Sequence, residues 1–255
     1  MKSMKINIIG VKIDNINLDQ SVKLVDQWLS KKTFDYTQGK HYIVTPNPEF
    51  IVAAQDDHEF KNILNKADLA IPDGMGLKLP GKITNTVAGV DLMEQLIKLS
   101  TQQGYTIGLL GGKKGVAVKL KERLIGRYPN LKVIFADFGG EINSDGKEVN
   151  KYSVYDPSIH HTQYSIPPMD ILFVAFGQVK QEKWIYKNLP NSKVKVMMGV
   201  GGAFDYLSGE IPRAPKWIRS LGFEWLFRLF VQPWRIKRFG SLIKFVFLVL
   251  TSAKT

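Results

Sequence analysis

No cysteine occurs among the 255 residues, so the chain has no disulfide framework and no thiolate metal site, which suits a cytoplasmic address. The histidines His41, His58, His160 and His161 form no HxxxH or HExxH pair, which leaves a zinc centre without support. Asp-x-Asp, the pair that holds a divalent ion on a nucleotide-sugar diphosphate, is also missing, so neither a metal nor any other cofactor is expected. The spacings GxGxxG and GK[ST] are absent too, which weakens dinucleotide-oxidoreductase and P-loop readings. Long hydrophobic runs are lacking. The first apolar stretch is broken by Asn7, and the run from Phe245 to Leu250 falls far short of the ~20 residues of a spanning helix.

Acidic residues are scarce relative to basic ones, 23 against 35, for a net charge of +12. The excess is concentrated in residues 213–255, where Arg213, Lys216, Arg219, Arg228, Arg235, Lys237, Arg238, Lys244 and Lys254 face a single acid, Glu224. Trp217, Trp225, Trp234, Phe223, Phe227, Phe230, Phe239, Phe245 and Phe247 are interleaved with them. Cations mixed with large rings suit an anionic lipid surface, with rings at the boundary and charge among the phosphates. Because the excess positive charge is concentrated in one aromatic-rich tail, no nucleic-acid partner is expected. An apolar tail also allows a homo-oligomer to form off the membrane.

Before the tail, strand and helix signals alternate. Strands are expected at residues 5–10, 41–45, 69–71, 105–110, 132–136, 170–176 and 193–198. Helices are expected at 18–31, 48–67 (one or two), 90–103, up to about 127, 179–188, and in a short piece through 207. This order predicts an α/β fold, a Rossmann-like parallel sheet with helices on both faces and a basic, aromatic, helical C-terminal appendage. The expected division is a body over residues 1–209 and an appendage over 210–255. Between residues 141 and 168 the pattern fails, and a long surface excursion is expected.

Ligands bind parallel sheets at the carboxyl ends of the strands, so the strand exits hold the candidate chemistry. Thr45-Pro46-Asn47-Pro48-Glu49-Phe50 holds two polar side chains at a stiff turn, and Asn47 equally reads as a helix cap with Pro48 at the first helical position. Ile71-Pro72-Asp73-Gly74-Met75-Gly76 puts an acid at a sharp corner, where a general base would stand, although Pro-Asp-Gly is also a favoured turn. Gly108-x-x-Gly111-Gly112-Lys113-Lys114-Gly115 runs from strand to helix and reads either as a diphosphate cradle or as a plain βα turn. After another buried strand, Lys180, Gln181 and Glu182 crowd a helix start. Gln181 suits hydrogen bonding to a sugar or base, and Glu182 suits the helix dipole. The turn containing Gly199, Gly201 and Gly202 allows a further close approach, with Asp205 on the helix beyond it.

Taken with Ala88-Gly89-Val90-Asp91-Leu92, Arg213-Ala214-Pro215-x-Trp217, Gly222-Phe223-Glu224-Trp225-Leu226-Phe227-Arg228-Leu229 and Gln232-Pro233-Trp234-Arg235-Ile236-Lys237-Arg238, these stretches resemble the WecG/TagA/CpsF family, glycosyltransferase family 26. The resemblance implies inverting, metal-independent transfer of a sugar from a UDP donor to a polyprenyl-diphosphate-linked GlcNAc at the cytoplasmic face of the membrane. N-acetylmannosamine is the leading donor sugar, with N-acetylmannosaminuronic acid or glucose as alternatives, and the product serves teichoic acid or another surface polymer. It further implies that Asp73 is the general base with Thr45 and Asn47 beside it, and that Gln181 orients substrate. Arg228, Arg235 and Arg238 would close over the leaving diphosphate, near Gly111, Gly112 and Gly201. Two positions depart from the family pattern, Thr86 where Arg is usual and Val179 where Pro is usual. The competing reading is a non-enzymatic basic module that binds lipid or nucleic acid through its tail.

Overall fold

A computed structural model describes residues 4–31, 39–150 and 166–252. The chain opens with a hairpin, β1 (Lys5–Ile8) and β2 (Val11–Asp14), followed by helix α1 (Leu18–Leu29). Strand β3 (His41–Val44), helices α2 (Pro48–Asp56) and α3 (His58–Lys66), strand β4 (Leu69–Ala70) and helix α4 (Gly89–Gln103) come next. Then follow β5 (Thr106–Gly111), α5 (Val116–Arg127), β6 (Lys132–Asp137), and a small hairpin of β7 (Glu141–Ile142) and β8 (Glu148–Asn150). The body ends with β9 (Met169–Ala175), α6 (Lys180–Asn188), β10 (Val194–Gly199) and α7 (Ala203–Leu207). The tail holds α8 (Lys216–Ser220), α9 (Glu224–Val231), a 3-10 turn Pro233–Arg238 and α10 (Phe239–Ser252).

The six-stranded sheet runs in the order β4-β3-β10-β9-β5-β6, and every pairing in it is parallel. Right-handed crossovers then decide which helix lies on which face. Connections that step toward β4 put α2, α3 and α6 on one face, where Phe50, Phe60 and Trp184 pack on Val44, Leu172 and Met197. Connections that step toward β6 put α4 and α5 on the other, where Leu96 and Leu120 pack with Ile43, Phe173 and Met198. Neighbours such as Leu172 and Phe173 therefore serve opposite cores, the period-two alternation of a doubly covered strand. Chain connections leave β5 and β9 in opposite directions, which opens a crevice at the carboxyl ends of the sheet.

Two sequence expectations change. Residues 5–10 form the first half of a hairpin outside the sheet, because Ile9 (φ 50°) and Gly10 (φ 81°) make a two-residue turn of the primed type. The hairpin is tied to the short edge strand by the fully buried Asp14, whose carboxylate accepts the Ala70 N–H at 2.7 Å. The stretch after residue 141 begins with an ordered hairpin closed by Asn143, whose side chain accepts the Asp145 and Lys147 N–H groups. The rest of that stretch, residues 151–165, lies outside the described residues.

The tail folds back over the carboxyl end of the sheet. Helix α10 buries Phe245 completely and Val249 nearly so in the core that includes α2, and each such burial contributes about 1.5–3 kcal/mol. Leu242 lies beside Gly76 and Pro48, and Gly222 lies so close to Met75 that a Cβ there would meet its side chain at 2.7 Å. The exposed Lys244–Asp56 pair, at 2.8 Å, adds little to this docking. Among the described residues no helix is long and apolar enough to cross a membrane.

Candidate active site

Asp73 is fixed through its backbone before its side chain does anything. The Ile71 N–H donates to Val44 O at 3.0 Å and the Asp73 N–H to Pro46 O at 2.8 Å, so the exits of β3 and β4 stay paired beyond the strands. The Val87 N–H donates to Pro72 O at 2.8 Å and brings the start of α4 alongside. There the Gly89 N–H, at a helix N-terminus, lies close enough to the Asp73 carboxylate to favour its charged form. Gly89 packs closely on both residues: a Cβ there would lie 3.1 Å from the Thr45 methyl, a tight contact, and 3.6 Å from Asp73 Oδ2. Thr45 and Asp73 thus converge on one small volume.

Burial pushes the Asp73 carboxyl up to about 7, with Glu224 and Asp91 adding repulsion, while the Gly89 N–H and the Arg228 guanidinium pull it down. Part of the residue remains accessible, but the carboxyl itself has lost most of its hydration. A carboxylate tuned to neutral pH at a strand exit is what a general base requires.

Asn47 caps α2 by accepting the Phe50 N–H at 3.0 Å, with Pro48 at the first helical position. Gln181 is 1% exposed, and both ends of its amide have protein partners. Its oxygen accepts the Gly201 N–H at 3.0 Å and its nitrogen donates to Glu182 Oε1 at 2.7 Å. It therefore acts on the site through the turn after β10. Glu182 is fully buried beneath that turn, with its carboxyl pushed up to about 7 by burial, and its second oxygen accepts the Val179 N–H at 2.8 Å.

The glycine turns bring backbone together without leaving every amide free. The Gly112 N–H donates to Ala175 O at 2.9 Å and closes the β5–β9 crevice at its base. A Cβ on Gly111 would stand 2.8 Å from the Ala175 carbonyl carbon, which explains glycine there. The Gly112 and Gly201 N–H groups are thus committed inside the protein. This differs from a cradle in which they hold a ligand directly.

The cations come from the tail. Arg228 on α9 lies across the Tyr206 ring, 4.6 Å from its centroid, and among the described residues its buried Nε and Nη2 have no hydrogen-bond partner. Burial raises the Asp205 carboxyl, while Arg228, Lys113 and Arg235 draw it down, so all three cations lie within electrostatic reach of Asp205 on α7. Arg235 Nε donates to Gln232 Oε1. The Arg238 side chain lies outside the described residues.

Two other tail arginines, Arg213 and Arg219, are tied to carboxylates of the protein. Arg213 donates to Asp91 Oδ1 at 2.6 Å and to Glu224 Oε1 at 3.1 Å, and Arg219 approaches Asp91 at 3.6 Å. This ion network binds the tail to the helix whose first turn holds Asp73. Sequence reading missed it. The signal was available in Glu224 as the sole acid of the tail and in the matching acid of Ala88-Gly89-Val90-Asp91.

The sequence model of the glycosyl transferase WecG/TagA/CpsF family matches residues 6–255. The chain belongs to that family. It is 33% identical over 233 residues to the N-acetylglucosaminyldiphosphoundecaprenol N-acetyl-beta-D-mannosaminyltransferase of Bacillus subtilis strain 168, covering 86% of each chain. Proteins with the same name from Staphylococcus aureus strains MRSA252 and NCTC 8325 are 30% identical over 251 residues, which is 95% of this chain and 91% of theirs. The family model thus runs through both the body that carries Asp73 and the tail that carries Arg228.

Proposed function

We propose that this chain transfers N-acetylmannosamine from a UDP donor to the terminal GlcNAc of a polyprenyl-diphosphate-linked acceptor, with inversion. The acceptor hydroxyl oxygen attacks the anomeric carbon, and the bond from that carbon to the diphosphate oxygen breaks with its electron pair leaving on UDP. The hydroxyl proton passes to the Asp73 carboxylate. Thr45 and the cap residue Asn47 flank the base, and Gln181 shapes the wall through the Gly201 turn. Arg228 and Arg235, with Lys113 and with Arg238 as the third tail arginine, stabilise charge on the departing diphosphate without a metal ion.

One observation carries this reading: a carboxyl tuned to about 7 at a strand exit feels the field of a guanidinium delivered by the tail, whose buried Nε and Nη2 have no hydrogen-bond partner among the described residues. A base on one side and a cation cluster on the other is the division of labour that displacement at a sugar carbon needs. The donor and acceptor are taken from the names of the relatives.

The same reading puts the protein at the inner face of the cell membrane, resting on the exposed rings of its tail. Trp217, Phe230, Trp234 and Phe247 are each more than 60% exposed, and the positive charge around them suits anionic headgroups. The test is product formation from UDP-N-acetylmannosamine and a short lipid-linked GlcNAc-diphosphate with EDTA present. Transfer is expected. Absence of transfer with UDP still bound would redirect the donor to N-acetylmannosaminuronic acid or glucose, and absence of UDP binding would overturn the reading.

A further inference from the structure

Arg228 reaches the site from outside the sheet body, on a side chain that carries about 2 kcal/mol of rotamer entropy when free. Something has to hold it. Among the described residues no carboxylate forms an ion pair with it, and its buried Nε and Nη2 lack hydrogen-bond partners. Two features of the body define its place. The Tyr206 ring lies under the guanidinium at 4.6 Å. On another side Gly202 leaves open the volume that Arg228 Nη2 fills, and a methyl at Gly202 would overlap that nitrogen. Gly202 has φ −81° and ψ 17°, a conformation that alanine also adopts, so its lack of a side chain is required by the arginine and not by the backbone.

Tyr206 contributes its face and not its hydroxyl, which makes no hydrogen bond among the described residues. A ring face attracts a cation without using up any of its N–H donors. A carboxylate would hold the guanidinium more tightly but would occupy the donors and cancel the charge.

We infer that Tyr206 and Gly202 form a seat that pre-orients Arg228, with Nη2 lodged against Gly202 and the positive charge of the guanidinium presented to the diphosphate of the donor sugar. Both are positioning residues. The inference rests on the proposed transferase reading. Its physical content is that ordering the guanidinium in advance removes that cost from the bound state and the transition state.

The test uses the full-length protein and measures kcat and donor KM for Tyr206→Leu, Tyr206→Phe and Gly202→Ala, each alone and combined with Arg228→Ala. Tyr206→Leu and Gly202→Ala should each lower kcat/KM on the order of tenfold, mostly through kcat, because negative charge on the diphosphate grows as the bond breaks. Tyr206→Phe keeps the ring face and should stay within about threefold of wild type. In the Arg228→Ala background neither Tyr206→Leu nor Gly202→Ala should cause a further loss, since there is no guanidinium left to orient.

The inference is overturned if Tyr206→Leu and Gly202→Ala leave kcat/KM unchanged while Arg228→Ala lowers it, and the transferase reading then stands. It is also overturned if their losses add in full to that of Arg228→Ala, which would mark a merely structural role. Wild-type activity in Arg228→Ala would remove both the seat and the diphosphate assignment. Should Tyr206→Leu fail to fold, Gly202→Ala carries the test alone, because the three atoms nearest the added methyl all belong to the movable end of Arg228.

Discussion

In the sheet, Leu172, Phe173, Met197 and Met198 are fully buried between two helical layers, whereas in the tail Trp217, Phe230, Trp234 and Phe247 leave most of their surface open. Among the described residues every exposed tryptophan or phenylalanine lies after Arg213. The polar groups show a reverse contrast. Around Asp73 the body commits most of its hydrogen bonds internally, while the tail brings in a guanidinium with buried, unused donors. The body is thus finished as a folded object and supplies a precise corner. The tail is unfinished in two respects: Phe230, Trp234 and Phe247 are mostly exposed, and among the described residues Arg228 Nε and Nη2 have no hydrogen-bond partner. The proposed membrane and the proposed diphosphate supply the missing contacts.

The comparison is broken most sharply at the base. Asp73→Asn should lower transfer by a factor on the order of 10² to 10⁴ while the protein stays folded, and near-normal turnover would remove Asp73 from the mechanism. Next come the rings. Replacing Phe230 and Trp234 with serine should reduce flotation with anionic vesicles by about tenfold or more, since each buried ring contributes a few kcal/mol. Unchanged flotation would mean that other surfaces hold the membrane.

A smaller effect is expected at the joint between the two regions. Arg213→Ala leaves Asp91 and Glu224 facing each other without their shared cation, and should cost about 2 kcal/mol in thermal or denaturant unfolding. A change below about 0.5 kcal/mol would show the network to be a solvated surface pair. Smallest is Val179, whose φ of 71° is strained for a β-branched residue. Val179→Gly should stabilise the fold by about 1 kcal/mol, and a loss of stability would show that the side chain contributes more through packing than the strain costs.

The same contrast explains what the sequence made legible. Helices α1, α4 and α6 and strands β5, β9 and β10 each bury a regular set of positions, so their periodicity locates them to within a residue or two. The hairpin at Glu141–Asn150 escapes such a reading because its strands are short and largely exposed, and nothing in their pattern marks a face. At the site, Asp73 is visible from its Pro-Asp-Gly corner. Its proximity to Gly89, Glu224 and Arg228 is not, because those contacts join positions far apart in the chain. Gln181 stands out in the sequence for its amide, but burial turns that amide inward onto Gly201. Tyr206 carries no motif, and only the position of Arg228 over its ring gives it a role.

The most direct measurement is the pH dependence of kcat/KM for transfer by the full-length protein. Asp73 must be ionised to accept the acceptor proton, and burial with the nearby Glu224 and Asp91 charges holds its carboxyl at about 7. The rate should therefore rise close to tenfold per pH unit below that value, level off above it, and lose this limb in Asp73→Asn. A profile that stays flat between pH 5 and 8, on the order of one unit or more to either side of the expected midpoint, would contradict the assignment of Asp73 as the base.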